Sequence, residues 1–196
     1  MTLDNKKIAG ALLFVGSVQF TIALIIAEAI YPNYSVSANY ISDLGVWSQR
    51  SAAIFNPSLI LLGLLIVASS YFIQKLFKIR SITVLFLLAG IGNMGVGFFP
   101  ENTVIVNGIP VVHSIAALLV FLIGGILAIY SCRITKSPFR YFSVIMGAAN
   151  LVALALFFSA GSLGFLGIGV GGMERMIAYP TLLWMISFSG YLMADS

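Results

Sequence analysis

The sequence predicts an all-α, polytopic integral membrane protein: one domain over residues 1–196, six transmembrane helices, both termini cytoplasmic. Three observations carry that reading. The first is composition. Of the 196 residues 60% are hydrophobic and 8% charged, with a mean hydropathy of +1.07, whereas a soluble domain carries about 25% charged and roughly 45–50% apolar residues. The second is a set of six apolar segments long enough to cross ~30 Å of hydrocarbon, which takes about 20 helical residues. The third is the one-sided placement of Lys and Arg. Together they exclude a cytosolic enzyme, a coiled coil and a disordered tail. The single cysteine, Cys132, excludes an intrachain disulfide and a thiolate metal cluster.

The spans fall at about 8–30, 54–73, 82–99, 110–130, 141–160 and 176–193. The first follows Lys6-Lys7 and ends near Ala27-Glu28-Ala29, features of a signal peptide. Its apolar run is longer than the 7–15 residues or so of such a segment, so it is read as a retained span. In the third, Gly90, Gly92, Gly95 and Gly97 predict close helix packing, as does Gly147-Ala148-Ala149 in the fifth. Gln19, Asn93 and Asn150 are expected to hydrogen-bond between helices. Pro138 suits the first turn of the fifth span. Before the sixth lies 161–172, half glycine, which is expected to be a loop that rests on or dips into the interface, because glycine disfavours continuous helix.

With the N-terminus inside, the cytoplasmic side receives Lys6, Lys7, Lys75, Lys78, Arg80, Arg133, Lys136 and Arg140, and the outer side only Arg50 and Arg175. That asymmetry sets the N-in, C-in orientation and a multi-pass place in the cell membrane. It also accounts for the net charge of +4. No Lys/Arg run is long enough for nucleic acid, so membrane lipids are the expected partners.

The polar residues gather on the opposite side. Four of the six carboxylates, Glu28, Asp43, Glu101 and Glu174, fall at the outer face, with Asp4 and Asp195 at the inner termini. Asn39-Tyr40-Ile41-Ser42-Asp43-Leu44-Gly45 in the first outer loop reads either as a capped turn or as a site presenting Asp43. His113, the sole histidine, lies one turn into the fourth span, and ionisable groups at such depth are functional candidates. Arg175 reads as a neutralising neighbour of Glu174 or as a clamp for an anionic headgroup. The ligand-binding candidates are therefore Asp43, Asn56, His113, Glu174 and Arg175, supported by Asn39, Ser42 and Glu101. No cofactor motif is present; the glycines of 167–172 lack the strand that a dinucleotide fingerprint needs.

Asn39-Tyr40-Ile41-Ser42-Asp43-Leu44-Gly45, Phe55-Asn56, Phe99-Pro100, His113 and Gly172-Met173-Glu174-Arg175, in this order on six spans, resemble the uncharacterised prokaryotic membrane family known as domain of unknown function 998. A fainter similarity, through Tyr-Ile-Ser-Asp-x-Gly, is to the eukaryotic six-span family of damage-regulated autophagy modulators. Neither resemblance supplies a reaction or a cofactor. The first implies that the outer polar residues form one set, which draws Asp43, His113, Glu174 and Arg175 towards a shared site.

Three functions fit these residues. In the first, an outward-facing polar pocket binds a lipid headgroup or a small polar ligand. In the second, the protein is an accessory subunit of a larger membrane complex. In the third, Asp43, His113 and Glu174 hold a metal ion for a hydrolase acting at the outer leaflet, although a single histidine is a thin basis for such a site. A Ser42–His113–Asp43 triad is weaker again, since adjacent Ser and Asp cannot readily flank one imidazole. All three place the working face outside, so orientation is the first test. In a Cys132→Ser background, cysteines at Ser37 and Thr103 should react with an impermeant thiol reagent on intact cells, and one at Ser137 should not. Labelling at Ser137 alone would invert the topology.

Overall fold

The computed structural model describes residues 4–159 and 164–194. Six helical spans are each long and apolar enough to cross a membrane. They are α1 (Asn5–Ile30), α2 (Ala52–Phe77), α3 (Arg80–Phe98), a composite fourth span, α6 (Phe139–Ser159) and α7 (Gly169–Met193). The fourth runs through α4 (Val111–Leu118), a π-helical turn (Leu119–Ile123), α5 (Gly124–Tyr130) and a 3-10 turn (Ser131–Arg133). A two-stranded hairpin, β1 (Ile105–Val106) with β2 (Ile109–Pro110), precedes it. The six predicted spans coincide with these helices to within about a turn, except at the start of the sixth.

Local chemistry sets the ends. Asp4 caps α1 by accepting the Lys7 N–H at 2.8 Å. The chain leaves α2 at Lys78 in a left-handed conformation, φ 56°, whose N–H closes on the Gln74 carbonyl. Asn107 and Gly108, both at positive φ, make the hairpin turn between β1 and β2. The loops 31–51, 99–110 and 164–168 therefore share one end of the bundle, here the loop face. The N-terminus and the 78–79 and 134–138 connections share the other, the terminal face.

The helices approach closely where side chains are small. A Cβ on Gly63 would lie 2.5 Å from the Gly90 carbonyl oxygen, so α2 and α3 meet backbone to backbone. Gly92 makes the same contact towards the Ala116 carbonyl of α4 and Gly147 of α6 towards that of Gly125 of α5, while Gly95 makes room for the Ala116 methyl group. Gln19 donates to the Ser58 carbonyl at 2.9 Å and joins α1 to α2. Asn150 donates to the Ile177 carbonyl at 2.7 Å and joins α6 to α7, one turn before Pro180 interrupts the α7 ladder. Asn93 corrects the expectation for the third such residue. Its amide returns to the Ala89 carbonyl of its own helix at 2.8 Å.

The start of α7 is the larger correction. Helix runs from Gly169, seven residues before the predicted start, so Gly171, Gly172, Glu174 and Arg175 are helical and not part of a loop. Glycine serves close approach here. A Cβ on Gly171 would collide with the carbonyls of Asn39 and Val36 in the first loop. Residues 161–163 of the predicted loop, and Asp195, lie outside the described residues.

The apolar core runs the length of the bundle, from Leu44, Phe55 and Leu59 near the loop face to Ile73, Ile82 and Leu192 near the terminal face, and its largest rings lie midway. Trp184, Phe188 and Phe86 are fully buried, with Trp184 and Phe188 stacked at 5.1 Å and Phe86 against Phe188 at 6.1 Å. The Trp184 indole N–H donates to Ser143 Oγ at 3.1 Å. These rings close the bundle near its midpoint and leave space above.

Candidate functional site

One side chain makes three of the bonds that hold down the first loop. Arg175, 5% exposed, donates from Nη2 to Glu28 Oε1 and to the Tyr34 hydroxyl, both at 2.6 Å. Its Nη1 reaches the carbonyls of Val36 and Gly171 at 2.9 Å and of Asn39 at 3.4 Å. The Tyr34 hydroxyl passes the chain on, donating to the Tyr40 carbonyl at 3.0 Å. The Gly171 N–H donates to the Ser37 carbonyl at 2.9 Å, and the Ser37 hydroxyl to the Ile168 carbonyl at 3.0 Å. A planar guanidinium with five donors suits such a junction. Burial pushes the Tyr34 hydroxyl up to about 12 despite the opposing bond from Arg175, so it stays a neutral donor.

That anchored loop presents the Asn39–Gly45 motif to the bundle. The Asp43 carboxylate accepts from Asn39 Nδ2 at 3.0 Å and from the Tyr40 N–H at 2.9 Å, an Asx-type closure preceding the Ser42–Gly45 3-10 turn. Asn56 donates to the Gly45 carbonyl, and the Ser51 hydroxyl to the Leu44 carbonyl, each at 2.8 Å. Glu174 accepts the Ile41 N–H. The Ser42 hydroxyl donates to Glu101 Oε2 at 3.1 Å. Burial, followed by the neighbouring Asp43 carboxyl group, pushes Glu101 up to about 8, against the weaker pull of Ser42. At neutral pH Glu101 is the protonated partner. His113 joins from α4, its Nδ1 at 3.0 Å from the Phe99 carbonyl. Since a carbonyl only accepts, Nδ1 carries the proton and Nε2 offers its lone pair.

Ser42, His113 and Glu174 line two adjoining cavities, and Glu101 lines one of them. The deeper one occupies about 930 Å³ of empty space, its mouth included, and descends between α1, α2, α3, the fourth span and α7 to Trp184 and Met185. Its wall is overwhelmingly apolar, from Phe20 and Leu24 to Leu127. Val120 and Phe121, on its fourth-span side, belong to the π-helical turn. A π turn is frequent beside functional sites because it displaces side chains from the regular register. The second cavity, about 900 Å³, lies between α4 and α6 and is walled by Tyr40, Phe157 and Phe158. Phe158 is 70% exposed on the surface that faces lipid.

Of the predicted site residues, the structure brings Ser42, Glu101, His113 and Glu174 together around this space and sets Asp43 and Asn39 directly behind them. It places Asn56 and Arg175 elsewhere: Asn56 braces Gly45, and Arg175 ties the loop to α1 and α7. The partner of Arg175 is Glu28, not the adjacent Glu174. The metal alternative has no donor set. Among the described residues no three His, Cys, Asp or Glu side chains are grouped to hold an ion. Sequence reasoning passed over Tyr34, Tyr40 and Phe157. Tyr40 lies inside the motif that was singled out, whereas Phe157 is one of 15 phenylalanines and carried no signal.

Six apolar spans around a loop-face cavity define a polytopic membrane protein of bundle type. Residues 14–190 match the family described as Protein of unknown function (DUF998), and the chain belongs to that family. No curated protein and no solved structure matches it.

Two stability measurements in detergent check the site. Arg175→Ala leaves Glu28 without its cation and the first loop without its tie. Removing one partner of a buried pair costs about 3–5 kcal/mol, and with the Glu28 side chain 22% exposed the loss should fall near the lower end. The double change Glu28→Gln with Arg175→Gln should recover part of the melting temperature. The second measurement is of pH. The folded protein keeps on Glu101 a proton that the unfolded chain releases near 4.5. That contribution to stability is complete below about 4.5 and declines as pH rises to about 8. Glu101→Gln should flatten this part of the wild-type profile between those limits.

Proposed function

We propose that this protein binds one amphiphilic molecule drawn sideways from the bilayer, and that the loop face, with its polar cluster, lies outside the cell. The apolar chain occupies the interior of the bundle, and the polar head rests against Ser42, Glu101, His113 and Glu174. One observation carries the reading. The lipid-side cleft and the internal chamber share Ser42, His113, Ala117, Phe121 and Glu174, so the polar cluster stands at the junction between bilayer and interior.

The chemistry of the two walls supports it. An empty apolar chamber in lipid forfeits dispersion contacts that an alkyl chain restores. The buried polar groups above it need partners in a medium without water. A molecule with one apolar and one polar end meets both requirements. A small polar solute would meet only the second, and a partner subunit seated on the outer helix faces would meet neither.

Ala117 stands at the throat, and a large side chain there should block it. Native mass spectrometry of the purified protein should show one retained amphiphile per chain, and Ala117→Trp should remove it while the melting temperature stays within a few degrees of wild type. An equally loaded Ala117→Trp protein would refute the site. A copurifying polypeptide in place of a lipid would favour the accessory-subunit reading.

A further inference from the structure

Resting on that reading, we infer that the polar head of the bound amphiphile is cationic: an alkylammonium group, either a primary amine or a quaternary ammonium.

Complementarity of the polar end argues for it. The wall there offers acceptors. Glu174 and Glu101 carry carboxyl groups, and His113, 7% exposed, holds Nε2 without a hydrogen-bond partner among the described residues. Most of the donors nearby are already spent. The Ser42 hydroxyl bonds Glu101, the Asn93 amide bonds Ala89, the Thr181 hydroxyl bonds Ala178 and the Trp184 indole bonds Ser143, which leaves only the neutral hydroxyls of Tyr40, Ser114 and Tyr179. No Lys or Arg lines either cavity. The nearest cation, Arg175, lines neither cavity, and both its terminal nitrogens are engaged by Glu28, Tyr34 and three carbonyls. A phosphate or carboxylate head would thus face carboxyl groups and a lone pair, with no fixed cation to offset them.

The cleft adds a second, independent feature. Tyr40 and Phe157 flank it with ring centroids 6.3 Å apart and an interplanar angle of 63°, and Phe121 and Phe158 complete the wall. Aromatic faces attract ammonium groups, the more so when water is excluded, and they are the usual recognition device for quaternary nitrogen. Acid and aromatic groups converging on one opening suit an ammonium head, the weakly hydrated quaternary form most of all. The carboxyl groups of Asp43 and Glu101 stand close enough to repel one another, and a cation on the cleft side offsets that repulsion.

Four probes with the same 14-carbon chain separate the possibilities: tetradecyltrimethylammonium, tetradecylamine, tetradecyl phosphate and tetradecyl maltoside. Each is titrated into the full-length protein in a non-ionic micelle, and adducts are counted by native mass spectrometry. The two ammonium probes should bind at least ten-fold tighter than the phosphate. Glu174→Gln and Glu101→Gln, which keep hydrogen-bonding groups in place, should each cut that preference several-fold while maltoside binding stays constant. Ala117→Trp should abolish binding of all four, which separates the cleft from cationic detergent on the outer surface. Phosphate or maltoside binding as well as the ammonium probes overturns the cationic head and leaves the amphiphile site standing. If none of the four binds in a way that Ala117→Trp removes, both readings fall.

Discussion

The loop face depends on a single buried guanidinium. Without Arg175, the carbonyls of Val36 and Asn39 lose their side-chain partner and the first half of the 31–51 segment loses its tie to Glu28. With Arg175, three separate pieces of chain converge: the end of α1 through Glu28, the first loop through Tyr34 and two carbonyls, and the start of α7 through Gly171. The cost of burying a charge is offset because nearly every donor finds a partner. Gly171 belongs to the same device, since any larger residue would hold the loop beyond the reach of the guanidinium.

The polar cluster inherits its geometry from that tie. Ile41 and Ser42 reach Glu174 and Glu101 only because the loop that carries them is fixed at both ends. The Ser42–Gly45 turn is then braced from below by Asn56 and Ser51. Thus the residues that touch the cavity are few, and those that position them are more numerous. Among the latter are Arg175 and Asn56, which a reading of the sequence had placed in the site.

The six spans were legible because hydrophobic length is written directly in composition, and lipid imposes helix on every such segment. The polar cluster was legible in part. Ser42, Asp43, Glu101, His113 and Glu174 stand out in a chain with so few polar groups, but their order in sequence does not say which face each other. Arg175 looked like the partner of its neighbour Glu174 because adjacency is visible and a separation of 147 residues is not. The glycines of 167–172 misled for a similar reason. Helix propensity argues against helix there, and only the loop packed over Gly171 shows why glycine is required. Asn93 resembles Asn150 in sequence context, yet only Asn150 faces a neighbouring helix whose ladder a proline has opened.

The stacked floor of Trp184 and Phe188 has a consequence for membrane asymmetry. From Glu174 at the polar cluster to Trp184 at the floor is ten residues of α7, or about 15 Å of helix rise. A hydrocarbon core is ~30 Å thick, so this distance is about half of it. Under the proposed binding of an amphiphile, a chamber of that depth would take molecules from one leaflet only, and the stacked floor would keep the bundle from serving as a path for lipid exchange between the two.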